Sequence, residues 1–228
     1  MMFDNDTLTY RSADSTIAAM SRVYLHMMLA VITSMVVSLY VGTSPDLVQF
    51  FFTGWMKWVT IFAPLAAVFG VSMVLATNPP RPLAITMLHG FAALMGLSFA
   101  AIFAIYKMGS IAGAFMGGAV LFGTLSFYGF FTKRNLDSIG QFLFVALIAI
   151  VIASVINIFL ESSAFQMVIS ACAILVFLGL TAYDTQKIRE EVSVEGNDTA
   201  EIVGALTLYL DFINLFLSLL QLFGDKKD

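Results

Sequence analysis

One acid, Asp211, is the tenth of 22 residues from Ile202 to Phe223, a stretch that holds no other charge. If that stretch crosses a bilayer as a helix, the carboxyl lies roughly 15 Å from either edge at ~1.5 Å per residue. An ionised group there costs at least ~2.5–3.5 kcal/mol, so Asp211 needs a partner, water or a task. Gly204, Thr207, Asp211, Asn214, Ser218 and Gln221 follow at intervals of 3, 4, 3, 4 and 3 residues, which puts them on one helical face. Nearly all other side chains in the stretch are apolar. A helix with one narrow polar stripe belongs against other helices or beside a water-filled path. For Thr207 and Ser218, hydrogen bonding to neighbouring helices is reason enough; for Asp211 the cost of its charge favours function.

The obvious partner is Asp184, in the run Tyr183-Asp184-Thr185-Gln186-Lys187. It reads as an interfacial acid with Lys187 one turn on. If the helix instead continues to about Glu190, Asp184 lies roughly 9 Å deep, and a modest tilt brings it level with Asp211. Gly196-Asn197 breaks the chain, and Asp198 with Glu201 resembles a capping box that starts the last helix. The two helices are expected to be antiparallel neighbours. Two carboxylates in one low-dielectric pocket cannot both ionise cheaply and should titrate as a coupled unit, which makes a proton sensor. Deprotonated, Asp184 and Asp211 offer hard oxygen ligands to Ca²⁺, with carbonyls or waters completing the roughly six to eight it prefers. Calcium is expected as a permeant or transiently bound ion; no resident cofactor is expected.

The elements that must position these residues follow from composition. The chain has 228 residues, 60% apolar and 11% charged, with a mean hydropathy of +0.92, far from a soluble domain. Charge-free windows at 23–45, 58–80, 82–106, 108–132, 138–160 and 162–183 can each span hydrocarbon. With the stretch holding Asp211, they predict an all-α integral membrane protein of seven transmembrane helices. A single domain over 22–224 lies between a polar tail at 1–21 and a charged tail at 225–228, leaving no room for a soluble catalytic domain. Arg11, Arg22, Arg81, Lys133, Arg134, Lys187 and Arg189 fall on one side and Lys57, Lys107, Lys226 and Lys227 on the other, which predicts a cytoplasmic N-terminus. The acidic start, with Asp4, Asp6 and Asp14, is wrong for a signal or transit peptide. A net charge of −4 with scattered basic residues gives no reason to expect nucleic-acid binding.

Pro79, Pro80 and Pro82 mark a boundary between the second and third spans, while Pro64 inside the second predicts a bend. Gly109, Gly113 and Gly117, four apart, read as a face for close helix packing. Cys172 reads as a small packing residue, and His26 and His89 as helix-packing groups without a set of metal ligands. Asn157 reads as a cap or an interhelical bond. Arg81, at an edge on the side where the seventh span starts, could reach inward to the carboxylates. The last span holds no lysine for a retinal Schiff base, and no HExxH or paired Gly-Asp aspartyl protease pattern is present, so an enzyme is not expected.

Tyr183-Asp184-Thr185-Gln186 followed by Ala205-Leu206-Thr207-Leu208-Tyr209-Leu210-Asp211-Phe212-Ile213-Asn214-Leu215-Phe216 resembles the Bax inhibitor-one, or transmembrane Bax inhibitor motif, family, in a bacterial member. Asn157-Ile158-Phe159 and the seven-span layout are similar to it as well. The resemblance implies a central seventh helix wrapped by two groups of three. It implies a pH-sensitive calcium leak channel whose sensor is Asp184 and Asp211, with Asn214, Thr207, Ser218, Gln186 and Arg81 as supporting polar residues. It also implies an arginine, here Arg81, that pairs with Asp184, and a membrane protease as a partner beside lipid, calcium and protons. The expected location is the bacterial cytoplasmic membrane. The alternative is a regulatory interaction protein that binds a membrane protease or another membrane partner.

Overall fold

The computed structural model describes residues 12–194 and 199–227. Within them lie α1 (Ala13–Gly42), α2 (Pro45–Phe52), α3 (Met56–Leu75), α4 (Arg81–Ile105), α5 (Met108–Phe131), α6 (Asp137–Leu160), α7 (Ser163–Val192) and α8 (Ala200–Phe223). Seven of these are long and apolar enough to cross a bilayer; α2 is a short helix that the hydropathy windows do not reveal. The first span starts earlier than residue 22. Ser12 caps it, its Oγ accepting the Ser15 N–H at 3.3 Å, and Ala19 and Met20 are already buried in the core. Of the proposed N-terminal tail, residues 1–11 lie outside the described residues, as do Gly196, Asn197 and Asp198 of the expected cap.

Burial ranks the spans. In α8, 72% of the apolar window is buried inside the protein, against 11–39% in the other six spans. It packs against α1, α4, α5 and α7, whereas α3 leans on α4 and α6 on α7. Aromatic edges fill these contacts: Phe212 takes Phe115 and Phe122 of α5, and Tyr209 takes Phe91 of α4. The Tyr209 hydroxyl also pairs with Ser34 of α1 at 2.6 Å, so the polar tip of a fully buried ring is satisfied.

Pro64 lies inside α3 and has no N–H for the carbonyl of Thr60 four residues earlier. Ser98 of α4 donates its hydroxyl to that Thr60 carbonyl at 2.5 Å, so the freed backbone group is repaired across the helix interface. Pro79 and Pro80 separate α3 from α4, as the sequence predicts.

The glycine stripe of α5 does not pack. Ideal Cβ atoms on Gly109, Gly113 and Gly117 would meet nothing within 4 Å. The packed face of α5 instead carries Gly118, Phe122, Ser126 and Gly129, and a Cβ on Gly129 would collide with the Ala182 backbone of α7. The spacing of the stripe is right for close approach, but these glycines lie on a different face of α5 from its buried residues. Cys172 is likewise exposed rather than packed. His89 Nδ1 pairs with the Thr33 hydroxyl at 3.0 Å, joining α4 to α1, while His26 Nδ1 is buried without a hydrogen-bond partner among the described residues.

Candidate functional site

The helix carrying Asp184 continues to Val192, so Asp184 lies within α7 rather than at its end. Glycine and small residues let it approach its neighbours: Gly204 of α8 leaves room for Ile188, and Gly140 of α6 for the Tyr183 ring. Asp184 and Asp211 are near enough for each carboxyl to act on the other. Asp211 is 5% exposed, and its Oδ2 receives no hydrogen bond from any donor among the described residues. Asp184 is half-buried, with Lys187 as its nearby cation and Glu191 as a second acid. Ionised carboxylates are acceptors only, so a hydrogen bond between them requires one proton on the pair.

Both acids line a crevice of about 1000 Å³ between α6, α7 and α8. Its α8 wall is the polar stripe from Thr207 through Asp211, Asn214 and Ser218 to Gln221, and Gly140 to Ile158 of α6 face it. The α6 wall extends over 19 residues, about 27 Å at the helical rise and close to the ~30 Å of bilayer hydrocarbon. Lys187 stands at one end. At the other, Gln166 Nε2 donates to Gln221 Oε1 at 2.8 Å, and Gln166 Oε1 accepts from Asn157 at 2.9 Å.

The supporting residues divide. Thr207, Asn214 and Ser218 line the crevice, yet each donates to a backbone carbonyl four residues earlier in α8, at 3.1, 2.8 and 2.7 Å. Their bonds therefore stay within α8 instead of reaching a neighbouring helix. Gln186 is turned away from the acids. It accepts the Leu136 N–H at 3.0 Å and donates to the Arg134 carbonyl at 2.9 Å, fixing the α5–α6 connection.

Arg81 does not pair with Asp184. Its Nη2 donates to Glu201 Oε2 at 2.8 Å, because Arg81 starts α4 on the side where α8 begins, and Glu201 is nearly three turns of α8 from Asp211. Arg22 of α1 grips the same carboxylate through Nε at 3.0 and 2.9 Å and Nη2 at 2.5 Å. Glu201 is thus a buried acid clasped by two cations from two other helices, a cluster absent from the sequence reading. Its one advance signal was topological, since Arg22, Arg81 and the start of the last span all fall on one side. A chain of hydroxyls, Tyr24 to Ser126 at 2.6 Å and Ser126 to Thr185 at 2.9 Å, also links α1, α5 and α7 beside Asp184.

Seven apolar spans, a polar crevice along the most buried of them and no β-strand among the described residues define a polytopic helical membrane protein. The family described as inhibitor of apoptosis-promoting Bax1 matches residues 17–228, and the chain belongs to it. An Escherichia coli K12 relative called inner membrane protein YbhL is 39% identical over 216 residues, 91% of this chain and 92% of the relative. A Rickettsia prowazekii protein is 36% identical over 92% of this chain and 90% of its own length. The Lactococcus lactis protein YrjE is 33% identical over 98% of this chain and 97% of its own.

Proposed function

We propose that this protein is a proton-sensitive calcium leak of the bacterial inner membrane, with its N-terminus in the cytoplasm. The observation that carries the reading is the presence of Asp184 and Asp211 together on the wall of a crevice nearly as long as the bilayer is thick. With one proton the pair is held together by a hydrogen bond. Without it, two adjacent negative charges repel, and a divalent cation is the species best suited to lie between them. Proton and calcium then compete for one pair of groups, and the separation of α7 from α8 changes with the outcome. Amide and hydroxyl oxygens of the stripe supply weaker ligands along the path, which suits an ion in transit. The location rests on the name of the Escherichia coli relative, and the orientation on the excess of Arg and Lys at one end.

The family description favours a second reading, in which the protein acts by binding another protein and conducts nothing alone. Calcium flux into liposomes holding only the purified chain separates the two. Flux that depends on pH and on both aspartates supports the leak; folded protein with no flux above empty liposomes rejects it.

A further inference from the structure

A second cavity lies apart from the acids. α4 and α5 are joined by only Tyr106 and Lys107, yet they diverge: α4 packs on α1 and α3, α5 on α7 and α8. Between them opens a gap of about 390 Å³ walled by Met35, Phe99, Phe103, Ile111, Phe115 and Phe216. That volume is within the ~300–1,000 Å³ of ligand pockets. Its α1 wall extends from Val31 to Leu39, about 12 Å at the helical rise and most of the ~15 Å depth of one leaflet. Polar groups on the wall are few. The Ser34 hydroxyl is engaged by Tyr209 and the Ala92 carbonyl, and Ser38 adds one hydroxyl.

The C-terminal tail is fastened to the α4–α5 turn, next to Phe103 and Met108 of the gap. Lys226 forms a β-bridge with Tyr106, the Lys107 N–H donates to the Asp225 carbonyl at 3.0 Å and the Lys227 N–H to the Ile105 carbonyl at 2.8 Å. Lys227 Nζ is tied to the Phe103 carbonyl at 2.7 Å. The tail thereby gathers Lys107, Lys226 and Lys227, all three exposed, beside Asp225, with Asp228 next in the sequence, so three cations stand against two acids. An apolar gap most of a leaflet deep, next to a turn where lysines outnumber acids, matches a molecule with an apolar tail and an anionic head. We propose that the gap seats an acyl chain of an anionic phospholipid whose phosphate meets Lys107 and Lys226. A lipid tail gains no hydrophobic energy by leaving bilayer for protein, so retention comes from packing on the aromatic walls and from the lysines at the turn.

The test uses the full chain in phosphatidylethanolamine–phosphatidylglycerol vesicles with a trace of phosphatidylglycerol carrying a mid-chain photoreactive group. Crosslinks are mapped by mass spectrometry. The expected label concentrates on gap residues of α1, α4 and α5. Ala112→Phe, which fills the gap from an exposed position, lowers it at least tenfold, while Ala119→Phe, exposed and outside the gap, leaves it unchanged. Lys107→Gln and Lys226→Gln each lower the preference for phosphatidylglycerol over a phosphatidylethanolamine probe about fivefold, as roughly 1 kcal/mol per interfacial lysine requires. Label spread evenly over lipid-facing helices, or undiminished in Ala112→Phe, would overturn the site. Equal labelling by both lipids would overturn the role of the lysines.

Discussion

Removing both arginines that clasp Glu201 should cost far more than the two single changes predict. Glu201 is 4% exposed at its side chain, while Arg22 and Arg81 are 42% and 40% exposed. Either arginine alone still neutralises the carboxylate, and the one removed was half in water, so each single alanine variant is expected to lose only about 1 kcal/mol, the larger loss at bidentate Arg22. In the double variant the buried carboxylate loses both of these cations, and the loss exceeds the sum of the singles because no second arginine takes over. The cycle therefore carries a coupling energy of about 2 kcal/mol, within the range for residues in one charged network. The assay is loss of helical circular dichroism during titration of dodecyl sulfate into detergent-solubilised protein, run on wild type and the three variants. Additivity to within about 0.5 kcal/mol would refute the reasoning and reduce the cluster to a surface ion pair.

Three further outcomes follow from the packing. Ser98→Ala leaves the Thr60 carbonyl without its donor and should destabilise by about 1–3 kcal/mol; in a Pro64→Ala background the restored helical N–H takes that carbonyl, and the same change should cost under about 1 kcal/mol. Gly129→Ala drives a methyl into the Ala182 backbone and should cost about 1–3 kcal/mol, whereas Gly113→Ala points into open space and should stay within about 1 kcal/mol of wild type, on the stabilising side. Tyr209→Phe removes its bond to Ser34 and should cost about 1 kcal/mol, since Ser34 keeps its bonds to the Ala30 and Ala92 carbonyls. Dodecyl sulfate titration measures all three, and an unchanged Gly129→Ala variant would contradict the close α5–α7 approach.

Asp211 was legible because hydrocarbon penalises charge so heavily that one carboxylate in 22 residues stands out, and the 3–4 spacing around it gave the crevice wall directly. The seven spans were legible for the same reason. What could not be read were relations between distant residues. Arg22, Arg81 and Glu201 each look like an ordinary bilayer-edge charge, and only the packing of α1, α4 and α8 makes them one cluster. Arg81 was within reach of two acids by topology, and side-chain length alone does not say which it takes. The Gly109–Gly113–Gly117 spacing permits close packing without requiring it, because the pattern does not tell which face of α5 turns inward. The bond from Ser98 to the carbonyl orphaned by Pro64 needed the α3–α4 register, and the gap between α4 and α5 depended on two helices parting after a two-residue turn.

The proposed function makes the Asp184–Asp211 pair the link between proton occupancy and calcium passage. Calcium entry into liposomes containing the purified protein, followed across pH 5–8 for wild type, Asp184→Asn and Asp211→Asn, tests it most directly. The wild-type flux is expected to change with pH and both variants to respond flatly, because an amide donates permanently to the remaining carboxylate where the wild-type pair makes that bond only while it holds a proton. A wild-type pH response that survives both substitutions would contradict it.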